Sequence, residues 1–207
     1  MKAMRRVSLL MAACGWWAGL AFAQEAPPAG EETVRRAIHV CAACHGEEGR
    51  SSTSGIPSLA GQPRQYLIGQ LKDFRAQTRA EAGSRAYMWG ISALLDDTVI
   101  GGLADHYAAL PPPSGTGIAP SLRQAGARIF ISGMSERGVR PCASCHGDKA
   151  EGSNAFPRLA GQRADYVYAQ LKTFGTGLRP HAVLMRTETS KMTPQEMRAV
   201  AAYVQSL

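Results

Sequence analysis

The stretch Cys41-Ala42-Ala43-Cys44-His45-Gly46 recurs as Cys142-Ala143-Ser144-Cys145-His146-Gly147. The recurrence continues downstream. Pro57-Ser58-Leu59-Ala60-Gly61-Gln62 returns as Pro157-Arg158-Leu159-Ala160-Gly161-Gln162. Tyr66, Gln70, Leu71, Lys72 and Phe74 return as Tyr166, Gln170, Leu171, Lys172 and Phe174. The offset is 101 at the cysteines and 100 afterwards, so one residue is lost in the loop between them. Ordered matches at a fixed period mark a duplicated unit of roughly 90 residues.

Each hexad contains Cys-x-x-Cys-His, the spacing of a covalent haem attachment. Two thiols three positions apart, on one helical turn, reach two vinyl groups of one porphyrin. The adjacent histidine then turns back toward the iron. A redox dithiol, a disulfide and half of a zinc site are the other readings of a Cys-x-x-Cys pair. Zinc would need both pairs on one metal and would leave the histidines unexplained. Duplication of the whole pentad favours two covalent haem c groups. Cys41, Cys44 and His45 are expected to hold one, and Cys142, Cys145 and His146 the other.

The sixth iron position decides between a carrier and a catalyst. Met88 lies 43 residues after His45, and Met185 lies 39 after His146. A helix start follows each methionine by eight positions, at Asp96 and Thr193. The matched placement predicts Met88 and Met185 as ligands, with thioether sulfur favouring ferrous iron. Met192 is the rival in the second unit, but its counterpart is Leu95, which cannot ligate. His39, His106 and His181 are expected at the surface or in packing, with His181 an outside candidate ligand. Pro57 and Pro157 also hold matched places; a carbonyl there is expected to accept the ring N–H of the proximal histidine. An iron filled by His and Met has no open position. The chain is therefore expected to be an electron-transfer protein, without catalytic residues.

Residues 1–23 read as a secretory signal: basic Lys2, Arg5 and Arg6, an apolar Val7 to Leu20, then Ala21-Phe22-Ala23. The apolar run falls short of the roughly 20 residues of a membrane span. Retention as an anchor, or lipidation at Cys14, are the alternatives. Cleavage places the protein in the periplasm, where four cysteines remain. Removing Lys2, Arg5 and Arg6 lowers the formal charge from +7 to +4. No dense Lys/Arg stripe appears and aromatic residues are few, so nucleic acid is not an expected partner.

The units are expected at 24–110 and 120–207, joined by a semi-rigid linker at 111–119 that begins Pro111-Pro112-Pro113. No run alternates like a strand. Helices are expected from Glu31 to Val40, from Arg64 to Gln77, from Thr98 to Leu110, from Leu122 to Ile131 behind a Ser121 cap, and from Arg163 to Thr173. A last helix to Ser206 opens on the capping box of Thr193-Pro194-Gln195-Glu196. The fold class is all-α. Units this small have thin cores, so something large and apolar is expected inside each.

With these residues in view, the chain resembles the cytochrome c4 family of dihaem cytochromes over roughly residues 33 to 207. The twin Cys-x-x-Cys-His-Gly sites and the twin Pro-x-Leu-Ala-Gly-Gln…Tyr…Gln-Leu-Lys-x-Phe segments carry the likeness. A single methionine before each terminal helix and the Ala201-Ala202-Tyr203 ending complete it. The resemblance implies two tandem class I cytochrome c-like domains related by pseudo-twofold symmetry. It implies Met88 and Met185 as ligands, and electron transfer from a quinol-oxidising complex to a terminal oxidase. A cytochrome subunit serving a partner dehydrogenase, such as a flavoprotein, is the alternative. Two departures stand out. The family often has glycine where the first helix crosses the last; Gly126 fits, but the first unit has Val34 and Arg35 there, with Gly101-Gly102 as substitutes. Tyr203 has its counterpart one position late, at Tyr107, with His106 at the matching place. The first haem pocket is thus expected to pack differently.

Overall fold

The computed structural model describes residues 29–207, so the expected signal segment and Cys14 lie outside the described residues. Nine α-helices run through the described chain. In the N-terminal domain they are α1 (Ala29–His45), α2 (Arg64–Arg75), α3 (Trp89–Ser92) and α4 (Asp97–Ala109). In the C-terminal domain they are α5 (Pro120–Ser132), α6 (Ala143–His146), α7 (Ala164–Phe174), α8 (Val183–Thr189) and α9 (Pro194–Gln205). Among the described residues there is no strand, only isolated bridges at Met134/Val139 and Ser153/Phe156.

Both domains use one plan. The first two long helices pack on the last: α1 and α2 on α4, α5 and α7 on α9. Helix α4 starts because Asp96 accepts a hydrogen bond from the Val99 N–H at 2.8 Å. Helix α9 opens on the expected capping box, Thr193 and Glu196 satisfying each other's backbone N–H groups, with Pro194 at its first position. Their buried faces form the cores. Leu67, Val99, Leu103, Ala104 and Tyr107 form one. Phe130, Leu171, Val200, Tyr203 and Val204 lie in the other.

The helix crossings depend on glycine. A Cβ at Gly126 of α5 would lie 2.1 Å from the Ala199 carbonyl oxygen and 2.6 Å from Tyr203 Cβ on α9. In the first domain the close approach comes from the opposite helix. A Cβ at Gly102 of α4 would lie 2.5 Å from Val34 Cγ2 on α1, whereas Gly101 has only the Arg64 guanidinium near it.

Several helix boundaries differ from the sequence expectation. α1 continues past Val40 through both cysteines to His45. In the second domain the corresponding stretch is broken: α5 stops at Gly133, and a loop with a 3₁₀ turn at Ser135–Arg137 intervenes before α6. Ser121 is not a cap, since α5 begins at Pro120, whose ring presets the helical φ at the first position. Helix α2 ends at Arg75 because Gln77 takes φ +59°. Each methionine sits in a helical turn rather than a loop. Met88 closes a π-helical turn, Ser84–Met88, and Met185 lies in α8.

Residues 111–119 have no helix or strand, but they are held at several points. Gly61 and Gly161 take φ +69° and +73°, and a Cβ on either would strike Pro112 or Pro113. The Thr116 N–H donates to the Gln205 carbonyl at 3.0 Å, and Arg50 donates to the Pro111 carbonyl at 3.2 Å.

Candidate haem sites and the seam between them

The last turn of α1 carries Cys41, Cys44 and His45; Cys142 caps α6, which carries Cys145 and His146. The i, i+3 spacing puts both thiols of a pair on one side of a helical turn. His45 and His146 are buried, at 8% and 5% exposure. Their Nδ1 atoms lie 2.8 Å from the Pro57 carbonyl oxygen and 2.9 Å from that of Pro157. A carbonyl only accepts, so Nδ1 carries the proton and Nε2 keeps its lone pair. Burial pushes both imidazoles below their usual pKa, against the pull of the proline carbonyls. Each is therefore neutral, with the Nε2 lone pair that a metal ligand requires.

The thiols are unpaired: Cys41, Cys44, Cys142 and Cys145 form no disulfide. Burial pushes Cys41 up and Cys142 up to about 11. A redox dithiol works through a depressed pKa, so these environments argue against that reading. Cys41 packs on the core around Leu103, and Cys142 on the core around Phe130. The Tyr107 hydroxyl is buried beside Cys41 without a well-formed hydrogen bond, whereas Tyr203 rests against Phe130 with ring centroids 5.4 Å apart. His106 packs edge-on against Tyr107, centroids 4.9 Å apart.

Met88 and Met185 are both half-buried. A buried hydroxyl four residues later holds the main chain of each: Ser92 Oγ donates to the Met88 carbonyl, and Thr189 Oγ1 to that of Met185 at 2.7 Å. Met185 packs on the same core as Cys142, and so does Met192. The other histidines are engaged elsewhere or exposed. His181 pairs with Asp73 of the other domain, Nδ1 to Oδ1 at 2.7 Å, and His39 is exposed. Among the surface cations, Arg64, Lys72 and Arg163 form ion pairs with Asp105, Asp97 and Asp165. Lys172 lies over the Tyr168 ring.

The domains meet across a polar seam that sequence reasoning did not identify. Arg79 and Arg179 are both buried. Each guanidinium lies over the phenylalanine of its own domain, Phe74 at 4.5 Å and Phe174 at 4.6 Å. Each also donates to its own domain's glutamine, Gln70 or Gln170, at 2.8 Å. Arg79 then crosses to the Tyr166 hydroxyl at 3.1 Å, and Arg179 to Gln70 at 2.6 Å. Glu81 pairs with Arg79 at 2.7 Å. Burial alone would lower the Arg79 pKa, but Tyr166, Tyr66 and Glu81 hold it above the ordinary value. Asp165 reaches the other way, accepting from the Ser54 hydroxyl at 2.6 Å and the Gly55 N–H at 2.9 Å. The backbones also join, Ala80 N–H donating to the Leu178 carbonyl at 2.8 Å. Arg79 and Arg179 obey the 100-residue offset, and that was the available signal.

A cytochrome c family model matches residues 33–92 and 124–207, one span for each domain. Cytochrome c4 of Azotobacter vinelandii is 34% identical over 178 residues, covering 81% of this chain and 84% of that protein. The chain belongs to the cytochrome c4 family. Cytochrome c-552 of Acidithiobacillus ferridurans is 38% identical, over 81% of this chain and 73% of that one. A thiosulfate dehydrogenase electron acceptor of Thiomonas intermedia is 36% identical, over 97% and 90%. Among solved structures, cytochrome c4 of Acidithiobacillus ferrooxidans superposes with TM-score 0.76 at 38% identity, over 81% of this chain and 98% of that one. Reduced cytochrome c4 of Pseudomonas stutzeri gives 0.77 at 30%, over 85% and 97%. Like other cytochromes c4, this protein is a dihaem electron-transfer cytochrome with two tandem, helical cytochrome c domains. No helix among the described residues is long and apolar enough to cross a membrane.

Proposed function

We propose that this cytochrome c4 moves single electrons through the periplasm, from a quinol-oxidising complex toward a terminal oxidase. In this reading the domains are residues 24–110 and 120–207, with 1–23 cleaved as a signal and 111–119 as linker. Cys41 and Cys44 tether one haem, with His45 and Met88 on its iron. Cys142 and Cys145 tether the other, with His146 and Met185. The observation that carries the ligation is the repeated pairing of a buried histidine with a proline carbonyl, which fixes Nδ1 as donor and presents Nε2.

The residues present fit the cofactor. The thiols are free, the histidines are neutral, and two buried arginines face one carboxylate, Glu81, within the seam. Uncompensated buried positive charge is unfavourable, and the carboxylates of a haem are a chemically apt complement. When bound, the haem would supply a one-electron couple whose potential follows the residues that ligate its iron. The chain's own contribution is positional. Pro57 and Pro157 hold the imidazoles and make them more basic. Ser92 and Thr189 fix the backbone from which the methionines extend.

The test is spectropotentiometry of the purified ferric and ferrous protein. Two low-spin irons with a sulfur-to-iron absorption band support the reading. Ready carbon monoxide binding at both ferrous irons would sink it, and would reopen a catalytic role. Met88→Ala and Met185→Ala should each abolish the band of one haem only.

A second reading has its own support. The Thiomonas intermedia relative matches across nearly the whole chain and is named as the electron acceptor of a thiosulfate dehydrogenase. A partner dehydrogenase would then replace the quinol-oxidising complex as donor. Stopped-flow reduction by each purified donor decides between them.

A further inference from the structure

Gln62 and Gln162 are buried, at 5% and 4% exposure, and each side chain reaches into the other domain. Gln162 Oε1 accepts the Ser58 N–H at 2.9 Å, and its Nε2 donates to the Ser58 carbonyl at 2.9 Å. Gln62 does the same to Arg158, accepting its N–H at 3.1 Å and donating to its carbonyl at 2.8 Å. Because one residue offers both a donor and an acceptor, each amide has one satisfying orientation. Gln162 is locked further, since its Oε1 also accepts the Arg163 N–H at 3.0 Å.

The peptide unit involved matters. The Ser58 N–H belongs to the same amide group as the Pro57 carbonyl. That carbonyl accepts the proton of His45 Nδ1. The Arg158 N–H likewise shares an amide with the Pro157 carbonyl, which accepts from His146. An amide that donates at its nitrogen is polarised and becomes a better acceptor at its oxygen. A stronger acceptor on Nδ1–H makes an imidazole ligand more basic. More basic ligation stabilises ferric iron and lowers the potential.

We propose that Gln62 and Gln162 are positioning residues through which each domain tunes the haem of the other. Gln162, in the C-terminal domain, polarises the amide that holds His45. Gln62, in the N-terminal domain, polarises the amide that holds His146. The two potentials therefore depend on the domains being docked. This rests on His45 and His146 being the proximal ligands, as proposed above.

The test uses the full dihaem protein with Gln162→Met and Gln62→Met, which keep length and lose the cross-domain hydrogen bonds. Midpoints are measured by spectropotentiometry and assigned to individual haems by NMR of the haem methyl groups. Gln162→Met should raise the midpoint of the haem at Cys41/Cys44 and leave the other unmoved. Gln62→Met should raise only the haem at Cys142/Cys145. A Gln162→Glu variant keeps an acceptor for the Ser58 N–H, so its first midpoint should stay at or below the wild-type value. It also carries the test if the Met variant fails to fold. In the reduced protein the Nδ1–H resonance of His45 should move with the midpoint in the Gln162 variants, and that of His146 in Gln62→Met. Unmoved midpoints, a shift confined to the variant's own domain, or equal upward shifts in Gln162→Met and Gln162→Glu would overturn the proposal. A wild-type spectrum without the sulfur-to-iron band would instead count against the methionine ligands, and leave the cross-domain pattern to be read independently.

Discussion

The indole Nε1–H of Trp89 donates to the carbonyl oxygen of Arg79 at 2.8 Å. Trp89 follows Met88 directly, and Arg79 lies buried in the seam between the domains. One hydrogen bond thus ties the turn that presents a proposed iron ligand to the cationic core of the interface. Trp89→Phe keeps the ring and removes the donor. Loss of such a bond, leaving a carbonyl short of a partner, should destabilise the fold by about 1 kcal/mol. Chemical denaturation of the two proteins measures the difference. The ferric sulfur-to-iron band of the first haem should weaken while that of the second is retained.

The two glycine crossings should respond unequally to alanine. In Gly126→Ala the new methyl meets the Ala199 backbone, which cannot step aside without moving α9. In Gly102→Ala it meets a Val34 methyl, which can turn or shift. Overpacking of this kind costs roughly 1–3 kcal/mol. Gly126→Ala should fall at or above the top of that range, Gly102→Ala near the bottom, and thermal melting should rank them in that order.

Arg79→Met should be among the more damaging single changes in the seam. It strands the Glu81 carboxylate, whose Oε2 is already buried without a partner. Breaking a buried ion pair from one side costs about 3–5 kcal/mol. The double variant Arg79→Met with Glu81→Gln should recover part of that loss. Equal stability of the single and double variants would show that the ion pair is not what Arg79 contributes.

Acid should loosen the seam at Asp165. Partial burial alone would raise its pKa, but bonds from Ser54, the Gly55 N–H, Arg163 and the Tyr166 N–H hold it at about 2. A folded-state pKa below the unfolded value means stability that is present above about 4 and lost as pH falls toward 2. Glu81 is also held below its ordinary value. Burial opposes that shift, and Arg79 supplies most of the opposite pull. Its contribution disappears in the same direction. Unfolding free energy measured from pH 5 to pH 2 should fall more steeply for the wild type than for Asp165→Asn.

Some features of the structure are local and were legible residue by residue. The capping box at Thr193, the Asp96 cap and the two Cys-x-x-Cys-His turns involve residues within a few positions of each other. Their hydrogen bonds follow from short-range geometry. The expected bonds from the histidines to Pro57 and Pro157 formed although the prolines lie 12 residues after His45 and 11 after His146, so the one-residue loss falls in the loop and spares the contact. The helical turns around Met88 and Met185 were not legible. Neither segment has a side-chain cap or a long apolar stripe; a hydroxyl four residues on holds the main chain of each methionine, and the Arg79 carbonyl holds the Trp89 indole. The end of α1 was placed too early, since the cysteines that interrupt its apolar pattern continue the helix to the histidine.

The sequence by itself determined the duplication and the all-α class, and it named the candidate attachment residues and ligands, because each rests on spacing along the chain. Only the tertiary structure decided which residues meet across the seam. Gln62 with Arg158, Gln162 with Ser58 and Arg79 with Tyr166 are partners 96, 104 and 87 positions apart. No helical or strand period links such positions, and their pairing exists only once two separately packed domains dock. The same docking carries each domain's glutamine to the amide that holds the other domain's buried histidine.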